Sequence, residues 1–174
     1  EIVREGRNRS LLNKQKLTRT RDLLGVLRVT VFSPEDLEIV KDAPSVRREF
    51  IDGAMVSLTP KLDALCTETE KVLRQRNALL KQAGGRLTTD ISTTLDVWDT
   101  KLADVGTQLG DERARVIASM SPRVARAYED LAERATPIEL RYDPDWRRIG
   151  LASELVRCRL DDIRRGSSTV GPHR

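Results

Sequence analysis

The stretch 71–106, "KVLRQRNALLKQAGGRLTTDISTTLDVWDTKLADVG", predicts the architecture of this chain. Two runs meet here in which apolar residues recur at steps of three and four, the spacing of one helical face. Gly84 and Gly85 separate the runs, and glycine commonly follows the last turn of a helix. Two long amphipathic segments joined by a short glycine-rich turn are typical of an antiparallel helical hairpin.

Both runs extend beyond this stretch, the first back to Ser45 and the second forward to Leu131. Pro60 interrupts the first run and Pro122 the second, so we expect a break or a kink at each. Thr59 can cap a new helix with Pro60 at its first position, or one helix can kink there. The uninterrupted part of the first run, 60–82, would be about 34 Å long at 1.5 Å per residue.

Shorter elements flank the two runs. Residues 1–19 read as a hairpin that turns at Asn13-Lys14, because asparagine tolerates a positive φ. A short helix within 18–27 and a β-branched strand at 28–32 follow. Beyond the second run we expect a helix at 149–165 and a strand at 166–174.

Composition excludes several classes of function. Charged residues make up 33% of the chain, and no apolar run approaches the ~20 residues of a membrane helix. Aromatic residues make up only 3%, which argues against binding single-stranded nucleic acid on stacked rings. Cys66, Cys158 and a single histidine cannot supply a usual zinc set, and small buried thiols are favoured over a disulfide.

The net charge of +4 is concentrated at the two ends of the chain. Residues 1–28 carry eight Lys or Arg against three Asp or Glu, and residues 156–174 carry five against two. A partner that bears phosphate groups and ordinary solvated charged faces both remain open. Gly106 and Gly110 also have two interpretations: close approach of another helix, or a local weakening of about 1 kcal/mol each.

Four separated stretches in this order resemble the RecF family of bacterial recombination-repair ATPases. They are "VTVFSPEDLEIVKDAPSVRREFIDGAMVSLTPKL" (29–62), "KVLRQRNALLK" (71–81), "LDVWDTKLADVG" (95–106) and "GPHR" (171–174). Together they cover most of the chain. Asn13-Lys14 departs from the family, in which Asn-Gly is more usual.

The resemblance implies a mainly α fold: a lobe of antiparallel long helices with short flanking β segments from an incomplete ABC-type ATPase head, similar to the heads of SMC and Rad50 proteins. We expect one structural unit, 1–174, which would be an internal fragment of a larger protein. Its parts would be a head-derived hairpin, short helix and strand (1–33), the helical lobe (34–165) and a strand returning to the head (166–174).

The family resemblance also implies what the larger protein does. It would bind ATP and Mg²⁺, form a dimer through its ATPase heads, and bind double-stranded DNA at single-strand gaps, working with RecR to load the recombinase RecA. It would be a weak DNA-dependent ATPase in the bacterial cytoplasm, associated with the nucleoid and not with a membrane. Because this chain contains no G-x-x-x-x-G-K-[ST] loop, we expect no cofactor and no enzymatic activity in it.

The resemblance further implies candidate site residues, none of them catalytic or metal-binding. By position, Ser33, Pro34, Glu35 and Asp36 would form a hinge that couples the nucleotide to the lobe, although an ordinary helix cap explains them equally well. His173 and Arg174 would lie on a strand that leads towards the nucleotide site.

Guanidinium and ammonium groups in the most family-like helices are candidates for contacting DNA phosphates. Arg76 has an alternative role, because it falls on the apolar stripe and can pair with Asp99 of the facing helix. The DNA-binding candidates are Arg47, Arg48, Arg74, Arg76 and Lys81.

Overall fold

A computed structural model describes residues 11–17, 33, 36, 38–41, 43–134 and 136–174. These residues form a mainly helical lobe with a small two-stranded sheet, which confirms the predicted fold class. The elements are β1 (Leu11–Leu12), β2 (Gln15–Lys16), α1 (Glu38–Lys41), α2 (Pro44–Leu58), α3 (Asp63–Ala83), α4 (Thr89–Leu131) and α5 (Leu151–Arg165), with 3-10 turns at Pro60–Leu62 and Asp145–Arg147.

The short sheet confirms the part of the hairpin predicted at 1–19 that the structure describes, residues 11–17. β1 and β2 pair antiparallel, with Leu11 opposite Lys16 and Leu12 opposite Gln15. Asn13 and Lys14 turn the chain with φ values of 50° and 68°, as a two-residue loop with a type I′ turn requires. The predicted helix within 18–27 and the strand at 28–32 lie outside the described residues.

The antiparallel hairpin of α3 and α4 is confirmed. Gly84 ends α3 in the left-handed conformation, with φ 55°, which a residue without a Cβ adopts readily. The Thr88 side chain then caps α4 by accepting a hydrogen bond from the Ile91 N–H at 3.3 Å. Apolar side chains from both helices form the buried interface between them: Val72 and Leu80 from α3, Leu95 and Leu102 from α4.

The two prolines have different effects. At Pro60 the helix breaks: α2 ends at Leu58, and a 3-10 turn leads into α3. At Pro122 the predicted break is wrong, because α4 is one continuous helix of 43 residues, about 65 Å long, that contains Pro122. Pro122 removes one backbone donor, but Pro122 and Ala118 are both exposed, so water can reach the carbonyl that is left without a partner.

Helix α5 and the turn before it pack across the hairpin at two glycines of α4. A Cβ on Gly106 would lie 2.6 Å from Leu151 Cδ2, and a Cβ on Gly110 would lie 2.5 Å from Trp146 Cη2. Leu151 and Trp146 are 1% and 4% exposed. Gly106 and Gly110 therefore permit close approach, the first of the two interpretations of this pair.

The strand predicted at 166–174 is wrong. Gly166 ends α5 with φ 66°, and residues 167–174 form bends and turns. Residues 166–174 are here called the C-terminal segment. A strand needs a neighbour to accept its backbone hydrogen bonds. The polar groups of this segment are bound instead by side chains of the surrounding helices, as described below.

Both cysteines, Cys66 and Cys158, are free thiols and only partly buried. Among the helices that the structure describes, none has the length and apolar character needed to cross a membrane. In the same residues, no group of three or more His, Cys, Asp or Glu side chains could hold a metal ion.

We expect Gly110→Ala to destabilise the lobe by about 1–3 kcal/mol, because the new Cβ meets the buried indole ring of Trp146. Gly53→Ala is the matched control: Gly53 lies inside α2 with no atom within 4 Å of the added Cβ. Helix propensity alone should make that variant more stable, by about 1 kcal/mol. Urea unfolding of both variants, followed by circular dichroism, would measure the two shifts; destabilisation of equal size would refute the packing argument.

Candidate functional site

The most highly constrained part of the lobe is a buried network around Arg76 of α3. Its side chain is fully buried. Nε donates to Asp99 Oδ1 of α4 at 2.6 Å, and Nη1 donates to Asp162 Oδ2 of α5 at 2.7 Å and to Ser168 Oγ at 2.8 Å. The predicted pair with Asp99 is confirmed. The predicted DNA contact of Arg76 is wrong for this conformation, because a phosphate cannot reach a side chain with no exposed surface.

The same network holds the C-terminal segment. Asp162 Oδ1 accepts from the Thr169 N–H at 2.7 Å and from the Thr169 hydroxyl at 2.6 Å. Asn77 Oδ1 accepts from the Ser168 N–H at 2.8 Å and from its hydroxyl at 2.7 Å. A turn without secondary structure is thus fixed by polar side chains from α3 and α5.

Arg159 of α5 completes the charge balance around Asp99. Its Nη2 donates to Asp99 Oδ2 at 2.6 Å and lies 2.7 Å from Asp96 Oδ1. Burial disfavours the charge on Arg159, but the hydrogen bonds that it donates to Asp99 and Asp96 raise its pKa above the ordinary value. Arg159 therefore stays charged beside the two carboxylates.

A second buried arginine, Arg113 of α4, lies on the other side of the C-terminal segment. It is 4% exposed and makes a bidentate pair with Asp52 of α2, both contacts at 2.7 Å. Its Nη1 donates to the Pro172 carbonyl oxygen at 2.6 Å. Burial opposes its charge, but hydrogen bonding and attraction to Asp52, with a smaller contribution from Tyr142, raise its pKa.

A cleft of about 610 Å³ opens beside Arg113, between α2, α3, α4 and the C-terminal segment. Burial lowers the pKa of Arg48, and Arg113 lowers it further. Burial also raises the pKa of the Cys66 thiol to about 11, with a contribution from Asp52. Cys66 is therefore protonated at neutral pH, which makes it a poor nucleophile.

His173, the sole histidine, also lines this cleft. Its Nε2 lies 3.2 Å from the Ser168 carbonyl oxygen. Burial lowers the pKa of His173, and the positive charges of Arg174 and Arg48 lower it further. The hydrogen bond to the Ser168 carbonyl opposes this lowering. His173 is therefore a neutral, packed side chain at pH 7. Arg174 donates to the same carbonyl at 2.9 Å.

The remaining DNA-binding candidates lie in different surroundings. Arg74 is 68% exposed, with Glu70 one turn away at 3.5 Å. Arg47 is exposed and donates to the Ile39 carbonyl oxygen at 3.4 Å. Lys81 is exposed near the end of α3, and Arg48 is partly buried. The structure therefore leaves Arg47, Arg74 and Lys81 accessible to a large polyanion.

Half of the predicted hinge is described. The Asp36 carboxylate accepts from the Ser33 N–H at 2.6 Å, and the Asp36 N–H donates to the Ser33 carbonyl at 3.0 Å. The bond from the Ser33 N–H to the Asp36 carboxylate is one of the two bonds of a capping box, and the other bond is an ordinary backbone turn. Pro34 and Glu35 lie outside the described residues, so the role of the hinge in coupling stays a prediction.

Sequence reasoning missed Arg113 and Asp162, although Arg113 carries a recognisable signal. Arg113 falls between Leu109 and Val116 at steps of four and three, on the apolar stripe of α4. The same position within a stripe led to the correct pairing of Arg76. A charged residue inside an apolar stripe indicates a buried partner, because an unpaired buried charge is too costly to retain.

Comparison with known proteins places these features in a family, although no family model matches the chain. The chain is 39% identical to the DNA replication and repair protein RecF of Streptomyces avermitilis, over 96% of the chain and 48% of that protein. It is 36% identical to the RecF protein of Cutibacterium acnes, over all of the chain and 50% of that protein. Over this length, the chain belongs to the RecF family.

A solved structure agrees with this assignment. The fold matches that of a RecF described as a recombination mediator protein with ATP in the RecFOR pathway, with a TM-score of 0.77 and 26% identity. The match covers 93% of this chain and 45% of that one. This chain thus spans about half the length of the RecF relatives that it matches.

We expect Arg76→Met to destabilise the RecF lobe by about 3–5 kcal/mol, because Asp162 loses its buried arginine and Asp99 loses one of its two. Arg74→Met, two residues away on the exposed face, should change stability by less than about 1 kcal/mol. Chemical denaturation of both variants tests this contrast. A small effect of Arg76→Met would mean that water relieves the two carboxylates.

The pKa of His173 lies below its ordinary value, so the unfolded chain binds more protons than the folded chain between that lowered pKa and about pH 6.5. Stability should therefore fall as the pH falls through this window. His173→Gln should remove this contribution. Unfolding free energies of the parent and the variant, measured from about pH 7 to 5, would show two curves that diverge on acidification. Parallel curves would contradict the shift.

Proposed function

We propose that this chain is the helical lobe of a RecF protein that binds double-stranded DNA at single-strand gaps or junctions when ATP is bound, and that helps load the recombinase RecA with mediator partners, chiefly RecR. The observation that carries the proposal is similarity to RecF proteins over 96–100% of the chain. The fold likeness to a RecF with ATP supports the same conclusion.

In this proposal, ATP and Mg²⁺ bind to the half of the protein that this chain does not span. ATP closes a dimer of two heads around duplex DNA, and the two helical lobes form walls beside it. The complete protein is a weak DNA-dependent ATPase of the bacterial cytoplasm and nucleoid. The lobe itself contributes no catalytic residue; it positions a DNA-binding surface relative to the heads.

The DNA contacts that we propose are made to the phosphate backbone. Arg47, Arg74 and Lys81 are exposed and carry the flexible cationic groups that suit phosphate oxygens. Such contacts carry little sequence information, which fits a protein that would recognise a DNA structure. Arg76 is removed from this set by its burial.

The test is the salt dependence of duplex DNA affinity, measured with the complete RecF protein that carries this sequence, with ATP present. Each phosphate contact that is lost should reduce the log–log slope by about 0.9. We expect this reduction for Arg47→Ala and for Arg74→Ala.

Arg115→Ala is the matched control, because Arg115 is exposed and pairs with Glu112 of its own helix much as Arg74 pairs with Glu70. If both test variants keep the parental slope, neither side chain contacts phosphate. If the complete protein shows no salt-dependent DNA affinity, the proposed function fails, and the helical hairpin is better explained as a protein-interaction module.

A further inference from the structure

Arg113 makes two kinds of contact at once. Its Nε and Nη2 bind both carboxylate oxygens of Asp52 on α2, and its Nη1 binds the Pro172 carbonyl of the C-terminal segment. Arg76 and Arg159 make a different connection, joining α3, α4 and α5. Arg113 is therefore a direct link between the C-terminal segment and the helix that carries Arg47 and Arg48.

Burial makes the two contacts of Arg113 interdependent. Arg113 is only 4% exposed, so water reaches its N–H donors poorly, although the Asp52 side chain, 27% exposed, faces the cleft. A guanidinium that loses an acceptor in such a place keeps a desolvated donor, and the structure around it is destabilised. Movement of the C-terminal segment away from Arg113 should therefore weaken the ion pair between Arg113 and Asp52. Movement of Asp52 away from Arg113 should likewise weaken the hydrogen bond from Arg113 to the Pro172 carbonyl.

The backbone of the C-terminal segment is shaped to present the Pro172 carbonyl. Gly171 precedes it with φ 136°, a conformation that side chains rarely adopt. A Cβ at Gly171 would also lie 3.1 Å from His173 Nδ1. Pro172 packs against α4, with its Cδ 3.2 Å from where a Cβ on Gly106 would lie. Gly171 supplies the backbone conformation and Gly106 the space that together place the Pro172 carbonyl oxygen beside Arg113.

We propose that Arg113 is a positioning residue that couples the C-terminal segment to α2, so that a displacement of either element weakens the hold on the other. The coupling is a property of this lobe. Its functional consequence rests on the proposed function: Arg113 conveys the state of the ATPase head, through the C-terminal segment, to the helix that carries the DNA-binding candidates Arg47 and Arg48.

Amide hydrogen exchange of the complete protein, without nucleotide or DNA, tests the coupling directly. Asp52→Asn keeps the shape of the side chain and removes the charge that holds Arg113. We expect peptides covering 166–174, which Arg113 connects to Asp52, to exchange at least about fivefold faster. In the reverse direction, Gly171→Ala should accelerate exchange in α2 by a similar factor. In an Arg113→Met background, each substitution should affect only its own element.

Two controls separate coupling from general loosening. Asp111→Asn breaks the pair of Asp111 with Arg147, two positions along α4 from Arg113, and should leave both peptides unchanged. Peptides from α3 should stay within about twofold of the parent in every variant. A change confined to the substituted element, or a uniform rise across the lobe, would overturn the proposal.

A functional arm uses Arg113→Lys, which keeps the charge but loses the bidentate geometry. DNA affinity without nucleotide should stay within about twofold of the parent, while the enhancement by ATP falls at least about fivefold. Unchanged enhancement would show that the coupling does not serve DNA binding. If the parent protein shows no enhancement by ATP, the proposed function fails, and the exchange experiment still decides the coupling.

Discussion

The guanidinium of Arg76 organises the lobe. It lies fully buried where three helices meet, and its partners come from α4, α5 and the C-terminal segment. A buried charge of this kind adds little net stability when its pairs are complete, because desolvation offsets the attraction. Removing one partner is costly, however, so the network specifies one arrangement of these elements. The apolar contacts around it provide the hydrophobic stabilisation, and the network fixes the orientation.

The hairpin could be predicted from the sequence because a helical face leaves a periodic signal and glycines mark its turn. The pairing of Arg76 with Asp99 could be predicted for the same reason: an arginine inside an apolar stripe requires a buried acid opposite. Pro122 could not be read correctly, since the cost of proline depends on whether water reaches the carbonyl that it leaves unpaired. The strand predicted at 166–174 was wrong because the β propensity of Ser-Thr-Val does not show whether a neighbouring strand is present.

The candidate site shows the same division. In the sequence, the candidate cations of the family-like helices cannot be told apart. The fold separates them: Arg76 is buried and structural, whereas Arg47, Arg74 and Lys81 are exposed. Arg113 was missed because no facing carboxylate suggested itself in sequence; Asp52 lies 61 positions away on a different helix. An arginine within an apolar stripe indicates that a buried partner exists. Which residue is that partner can be seen only once the helices are assembled.

The far end of helix α4 extends beyond the surface that supports the rest of it. Its first part packs against α3 and α5, whereas residues 126–131 are exposed at the far end. The stretch from Ser121, whose hydroxyl accepts from the Leu140 N–H, to Leu131 is about 15 Å long, so a tilt of roughly 10° there would move the tip by about 3 Å. A small bend at the edge of the packed surface therefore becomes a displacement about the size of an atom at the exposed end.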